Sequence, residues 1–325
     1  WQDEEALGGA RPFEGMNRNN ISNPKSVLCH SGNHRLVNSC WRGVEHLPDL
    51  AAGEERVVAF RQDLPALSAI TAGGQGWGVA FRKFFLDGRK FSHILYTNKD
   101  MWHPRVRALP SGFTDVDTVM PNGQDGDYYS GDAFIRQKIE GASFALKRHA
   151  VLAAWGANFA GLDHELPSRA QAIQYVGASC LVNRTSYGHR EYWAALQAHR
   201  FLLAPSGQGL FSPKQMEALL VLTIPIVQRG APSAANSEGN TSAWDEAVLC
   251  YGWPMVVVTR WEEITQEALE RWWRELAPRL QAARSNLLAR RWYDNAMGHG
   301  PESRSAACRA LARSGPDEPD GEAWG

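Results

Sequence analysis

Residues 201–228 constrain the fold more than any other stretch of this chain. Phe201-Leu-Leu-Ala204 is a short, wholly apolar run, the pattern of a strand buried on both faces. Pro205-Ser-Gly-Gln-Gly209 follows as a loop. A helix then starts with an explicit set of signals. Ser212 is a capping residue, Pro213 stands at the first helical position where its missing N–H costs nothing, and Gln215 lies three residues after the cap. Phe211 and Met216 stand at the hydrophobic-staple positions. The helix is expected to run to about Leu222, and Ile224-Pro-Ile-Val-Gln228 reads as the next strand, with Pro225 arguing for a strand start or an edge. Strand, loop, capped helix and strand, in that order, make up the repeating unit of a parallel α/β layer.

The same geometry favours an anion. The free N–H groups and the positive end of a helix dipole face the loop that precedes it. Gly207 and Gly209 let a ligand approach the backbone closely. Ser212 starts the helix, Lys214 adds a cation in its first turn, and Glu217 follows on roughly the same face, where a carboxylate can accept hydrogen bonds from two ribose hydroxyls. In open parallel sheets ligands bind outside the carboxyl ends of the strands, where this loop lies. An ordinary surface pair of Lys214 and Glu217 beside a ligand-free turn has the same local pattern.

The rest of the chain supports the α/β reading. Strands are expected at Ser26-Val-Leu-Cys29, Arg56-Val-Val-Ala-Phe60, Phe91-Ser-His-Ile-Leu-Tyr96, Phe113–Met120 and Met255-Val-Val-Val258. Helical periodicity covers Trp77–Leu86, with Asp87-Gly88 ending it, and then Gly131–Ala154 and Arg190–Ala198. A last long helix starts after Thr265, with Ile264 and Leu269 at staple spacing, and Pro278 is expected to kink or split it. Several other features have a plain structural reading as turns, solvated loops or core: Asp125-Gly-Asp127, Asp163-His164-Glu165, the glycines at 73–78, the Trp272–Trp273 pair and Trp102.

Length and composition bound the class. At roughly 150 residues per domain, 325 residues suggest two domains. With 34 basic and 35 acidic residues the net charge is −1, which excludes a strongly basic nucleic-acid-binding chain, and no nucleic acid is expected as a partner. Thirteen tryptophans require burial or a lined site. The five cysteines include no Cys-x-x-Cys and the histidines no His-x-x-x-His, so no metal site is expected. Buried thiols, or a disulfide between Cys29 and Cys40, are the readings of those cysteines. Acceptor sequons at Asn20, Asn183 and Asn240 permit a secretory location.

The segment from Pro205 resembles the exostosin-like glycosyltransferases. Their pattern is an apolar strand, Pro-Arg-Gly-x-Gly, then His-Arg-x-x-Glu-Ala-Leu and an Ile-Pro-Ile-Val strand. Here Pro205-Ser-Gly-Gln-Gly209, Pro213-Lys-Gln-Met-Glu-Ala-Leu219 and Ile224-Pro-Ile-Val227 stand in the same register. Trp253-Pro-Met-Val-Val-Val258 with Trp261-Glu-Glu-Ile-Thr265, and Trp155-Gly-Ala-Asn158 upstream, are similar to further segments of that family. The close resemblance covers 187–291, and a looser one 91–178.

The resemblance implies an α/β fold with two Rossmann-like domains in a GT-B arrangement, the C-terminal one abbreviated. It sets a loose segment at 1–25, an acceptor-side domain at 26–178, a nucleotide-sugar-binding domain at 179–297 and a disordered tail at 298–325. The implied activity is transfer of a sugar from a nucleotide-diphosphate sugar to a glycan or glycoprotein acceptor. The donor is a co-substrate, no cofactor is needed, and Gly207, Gly209, Ser212, Lys214 and Glu217 form the donor site. It also implies a lumenal place in the Golgi or secretory pathway, with a membrane anchor in residues preceding Trp1. Ser206 stands where the family has arginine, and Pro213 and Lys214 where it has histidine and arginine. These departures keep a second reading open, a non-catalytic glycan- or nucleotide-binding relative.

Overall fold

The structure is a computed structural model, and it describes residues 26–30, 47–61, 67–72, 77–110, 131–155, 169–206, 210–229, 242–287 and 289–313. The chain divides into two compact units that it enters more than once. Unit 1 holds 1–109, 232–252 and 288–325, and unit 2 holds 110–231 and 253–287.

Unit 1 is built on a parallel sheet of β1 (Ser26–His30), β2 (Val57–Arg61), β3 (His93–Tyr96) and β4 (Val106–Ala108), in that order. Helices α1 (Leu67–Ala72) and α2 (Trp77–Phe81) follow β2, and α2 runs into a π-helical turn at Arg82–Leu86. The expected helix at 77–86 is thus present but widens in its second half. It ends at Gly88, where a Cβ would collide with the Phe84 carbonyl. Phe60, Phe81, Phe85, Phe91 and Tyr96 form one core cluster with Val58, Ile94 and Val106. Most of the rings meet edge-on or tilted, Phe60 and Phe85 with centroids 4.8 Å apart, while Phe85 and Phe91 stack.

Past β3 the chain is polar yet buried: Thr97, Asn98, Lys99 and Asp100 are all at most 6% exposed. Each polar side chain needs a partner there. Asp100 accepts the backbone N–H of Ser68 at 2.8 Å and its hydroxyl. Lys99 forms an ion pair with Glu246 on α7 (Ser242–Leu249). Helices α9 (Ala289–Ala296) and α10 (Ala306–Arg313) complete unit 1, and Cys308 of α10 is disulfide-bonded to Cys250. The tail expected to be disordered from 298 therefore contains a helix. Its Pro, Ser and charge content conceals a short helix that the disulfide ties to the residue following α7. Cys40 of the expected disulfide lies outside the described residues.

His103, also in unit 1, provides a pH handle. Burial, and then the charges of Arg105, Lys99 and Arg107, lower its pKa to about 4, and its Nδ1 accepts the Arg105 N–H at 3.2 Å. As pH falls below the ordinary histidine value, the unfolded chain takes up a proton that the folded ring refuses until about 4. Stability is expected to fall through that window by about 1–2 kcal/mol, partial exposure of the ring moderating the effect. Urea melts of the parent and of His103→Gln at several pH values check this. Equal slopes in the two proteins between neutrality and pH 4 would refute it.

Unit 2 is built on a five-stranded parallel sheet in the order β6-β5-β7-β8-β9. The strands are β5 (His149–Ala153), β6 (Val182–Arg184), β7 (His199–Leu203), β8 (Ile224–Gln228) and β9 (Val256–Val258). Helix α3 (Gly131–Glu140) precedes β5, α4 (Arg169–Ala178) joins β5 to β6, α5 (His189–Ala198) joins β6 to β7, and α6 (Pro213–Leu220) joins β7 to β8. Helix α8 (Gln266–Asn286) follows β9. The expected helix over 131–154 is corrected: it ends at Glu140, and 149–153 is a strand inside the sheet. A strand covered on both faces is a short apolar run, which periodicity does not separate from a helical segment. The domain boundary expected at 178 accordingly falls inside unit 2, since β5 pairs with both β6 and β7.

Pro225 lies near the start of β8, one of the two positions expected for it, although β8 is an interior strand and not an edge. Its neighbour β9 begins to pair only at Ile226, one residue beyond the proline, so the missing N–H falls before that ladder starts. Helix α6 ends earlier than expected, with Leu222 in the left-handed region (φ 62°) and the Thr223 N–H bonded to the Ala218 carbonyl at 2.8 Å. Helix α8 runs through Pro278 as one element instead of splitting. The Thr265 hydroxyl caps it, accepting the Ala268 N–H at 3.2 Å. At the amino ends of these strands, buried Lys147 donates to the carbonyls of Leu196 and Val221 and to Thr223 Oγ1, tying down the ends of α5 and α6. Burial, with Arg284 nearby, lowers the Lys147 pKa to about 7.

Both sheets are wholly parallel and interleaved with helices. The α/β class and the two Rossmann-like layers expected from the sequence are what the structure has. Most tryptophans described are core: Trp193, Trp244 and Trp253 are fully buried, and Trp261 and Trp292 nearly so. Trp272 and Trp273 are half-buried on α8, and Trp273 packs edge-on against Phe201 of β7.

Candidate functional site

Counted from β5, the sheet of unit 2 has the order 2-1-3-4-5, so the chain leaves β5 to one side and returns to place β7 on the other. The crevice at the carboxyl ends of β5 and β7 is where such sheets take ligands. The residues singled out from the sequence follow β7 at that end. Ser206 is buried three residues beyond the strand, Ser212 caps α6, and Lys214 and Glu217 lie in its first turns. Gly207 and Gly209 lie outside the described residues, as do Asn158, the Asp125–Asp127 and Asp163–Glu165 segments, the glycines at 73–76, Asn20 and Asn240.

The start of α6 is built as the sequence suggests, with one change. Gln215 Oε1 accepts the Ser212 N–H at 2.6 Å, which is the returning half of a capping box. The Ser212 hydroxyl does not accept from the helix. It donates to the same Gln215 oxygen at 2.8 Å. The staple residues Phe211 and Met216 are both buried. The Gln215 carboxamide is fully buried over the helix mouth, and its Nε2 has no hydrogen-bond partner among the described residues. The indole Nε1 of Trp155, two residues beyond β5, is likewise buried without one. Among the described residues, two unsatisfied donors thus stand at the carboxyl ends of the two strands that flank the crevice, and buried donors without acceptors are uncommon.

Around them lies a charged cluster drawn from three helices. Lys214 Nζ sits 4.0 Å from the centroid of the Tyr192 ring, in the first turn of α5. Glu217 is 1% exposed, and beside Tyr192 its charge adds to burial in pushing the phenol pKa well above its ordinary value. Burial lowers the Lys214 pKa, Glu217 opposes that, and the positive charge of Arg169 adds to it. Arg169 is the first residue of α4, the helix that follows β5. The structure therefore brings Lys214 and Glu217 together with Tyr192, and the charge of Arg169 acts on Lys214. Neither Tyr192 nor Arg169 is recognisable from the sequence as part of this site, because 23 residues separate them from each other and 22 more separate Tyr192 from Lys214. The one available signal is that each falls at or near the start of a helix that follows a strand.

Among the described residues no group of three or more His, Cys, Asp or Glu could hold a metal ion, and no helix is long and apolar enough to cross a membrane.

No protein-family model matches the chain, and no curated protein matches it. Solved structures to which it is similar include the wall teichoic acid polymerase TagF, at 8% identity over 81% of this chain and 68% of that one, with a TM-score of 0.26. Another is WaaG, a glycosyltransferase involved in lipopolysaccharide biosynthesis, at 13% identity over 87% and 82%, with a TM-score of 0.29. Likenesses at these TM-scores carry no argument about this chain.

Proposed function

We propose that the crevice of unit 2 binds the nucleotide diphosphate of a sugar donor, and that the protein is a glycosyltransferase of the exostosin-like kind with a GT-B arrangement. The observation that carries this reading is the cluster at the start of α6. Lys214 rests on Tyr192 beside the buried Glu217, next to a helix mouth holding the unsatisfied Gln215 amide. A helix N-terminus with a lysine favours phosphate, and a carboxylate one turn on favours ribose hydroxyls. In this reading Gly207 and Gly209 bring the backbone to the diphosphate, Ser212 and Lys214 face its oxygens, and Glu217 receives the ribose. The sugar would pass to a hydroxyl of a glycan or glycoprotein acceptor by displacement at the anomeric carbon. The helix dipole and Lys214 would stabilise the departing diphosphate. The cysteine pair Cys250–Cys308 supports a lumenal, secretory-pathway location, since disulfides persist in oxidising compartments.

The test is a panel of nucleoside diphosphates and their sugars, read by thermal shift and by nucleotide release in the presence of glycan acceptors. One nucleoside diphosphate is expected to stabilise the protein. Lys214→Ala and Glu217→Ala are each expected to weaken its binding about tenfold or more, equivalent to about 1.4 kcal/mol or more. Nucleotide binding without release favours the non-catalytic relative. No binding by any member of the panel would overturn both.

A further inference from the structure

Of the three acceptor sequons, Asn183-Arg184-Thr185 lies within the described residues, and the structure gives it a specific place. Asn183 is the middle residue of β6, and β6 is the last strand of the sheet in unit 2. It pairs with β5, Asn183 standing opposite Leu152. The Thr185 N–H bonds to the Ala153 carbonyl at 3.3 Å, which anchors the third residue of the sequon to the same neighbour. The sequon is therefore held by the sheet and is not part of a long loop.

Its side chains face outwards. Asn183, Arg184, Thr185 and Ser186 are all exposed. The Thr185 hydroxyl donates to Asn183 Oδ1 at 3.1 Å. Asn183 Nδ2, the atom to which a sugar would be joined, makes no hydrogen bond among the described residues. A glycan is bulky and hydrated, so a folded protein can carry one only where the asparagine stays outside the core. Asn183 meets that condition.

The place also gives a glycan something to do. A strand at the end of a sheet offers unpaired N–H and C=O groups to a second chain, and natural proteins block such edges. Strand β6 is three residues long and carries one charge, Arg184. A solubilising group in the middle of it would keep another strand away.

We propose that Asn183 is an N-glycosylation site and that its glycan covers the outer edge of β6. The glycan comes from a lipid-linked oligosaccharide diphosphate in the lumen of the secretory pathway. Asn183 Nδ2 forms the bond to the anomeric carbon and gives up one proton. The bond from that carbon to the diphosphate oxygen breaks, and the lipid diphosphate leaves with its electron pair. The site rests on the lumenal location proposed above and does not need the nucleotide reading of the crevice.

The test directs the full chain through the secretory pathway of a eukaryotic cell and maps glycopeptides of the secreted protein by mass spectrometry. Asn183 is expected to be occupied in most molecules. Asn183→Gln and Thr185→Ala are each expected to abolish that occupancy, and Thr185→Ser to keep it. Thr185→Ala leaves Asn183 in place and serves as the second variant should Asn183→Gln fail to fold. An unmodified Asn183 in the secreted parent overturns the site. Light scattering at equal concentration reads the second half of the proposal. The Thr185→Ala protein is expected to self-associate at least about twofold more than the parent and the Thr185→Ser protein. Equal self-association in all three overturns the covering of the edge. Fractionation of the native cells tests the location separately. A chain found only outside the secretory pathway overturns the location and the glycan with it, whereas a lumenal chain with bare Asn183 overturns the glycan alone.

Discussion

Lys99→Met is expected to destabilise unit 1 by about 3–5 kcal/mol, the usual result of removing one member of a buried ion pair. Lys99 and Glu246 are 2% and 3% exposed, and they join the segment after β3 to α7. The Glu246 carboxylate also accepts the Ala108 N–H at 3.3 Å and meets the Tyr251 hydroxyl at 2.7 Å. Burial lowers the Lys99 pKa, and the charge of Glu246 and its hydrogen bond work against that shift. Without the lysine, the carboxylate retains only neutral donors in a place closed to water. Burial together with the Glu246 charge pushes the Tyr251 pKa well above its ordinary value, so the phenol stays protonated. The double variant Lys99→Met, Glu246→Leu is expected to regain most of the loss, since well-packed apolar side chains often replace a buried pair at little cost. Denaturant melts of both variants decide the matter. A single variant within about 1 kcal/mol of the parent would show that the pair is not isolated from solvent.

Opening the Cys250–Cys308 bond is the second large effect. The disulfide closes a loop with a sequence separation of 58 residues. By chain entropy, a loop of that length contributes about 4 kcal/mol, and measured losses for native disulfides run about 2–5 kcal/mol. Helix α10 has eight residues, too few to persist by itself in water. The disulfide ties it to the residue after α7, and the Ser305 hydroxyl just before it donates to the Leu249 carbonyl at 3.3 Å. Reductant, or Cys308→Ser, is therefore expected to lower the melting midpoint and to expose residues 306–313 to protease before the rest of the unit. A melting curve unaffected by reductant would contradict this.

Local chemistry explains where reading from the sequence succeeded. The start of α6 carried four agreeing signals, namely Ser212, Pro213, Gln215 and the Phe211–Met216 pair, and each acts within five residues of the helix end. Thr265 was legible for the same reason. Strand β5 was not, because His149-Ala-Val-Leu-Ala153 has its place only through β6 and β7, which arrive 29 and 46 residues later. Pro225 stands near the start of β8, as the sequence allowed, but which neighbour pairs at which residue, and so why the proline is tolerated in an interior strand, is a tertiary fact.

The candidate site divides along the same line. Ser212, Lys214 and Glu217 share one helix, so their spacing alone put them on adjacent turns. Tyr192 and Arg169 come from two other helices, and it is the sheet order that sets their N-terminal turns at the same edge as α6. The sequence by itself determined an α/β chain with an anion-favouring helix start after β7, because caps, staples and apolar runs act over a few residues. The tertiary structure alone decided that Glu217 is buried, that Lys214 stacks on Tyr192 and that the charge of Arg169 acts on Lys214. Burial and charge proximity depend on which strands lie side by side, and that depends on residues far apart in the chain.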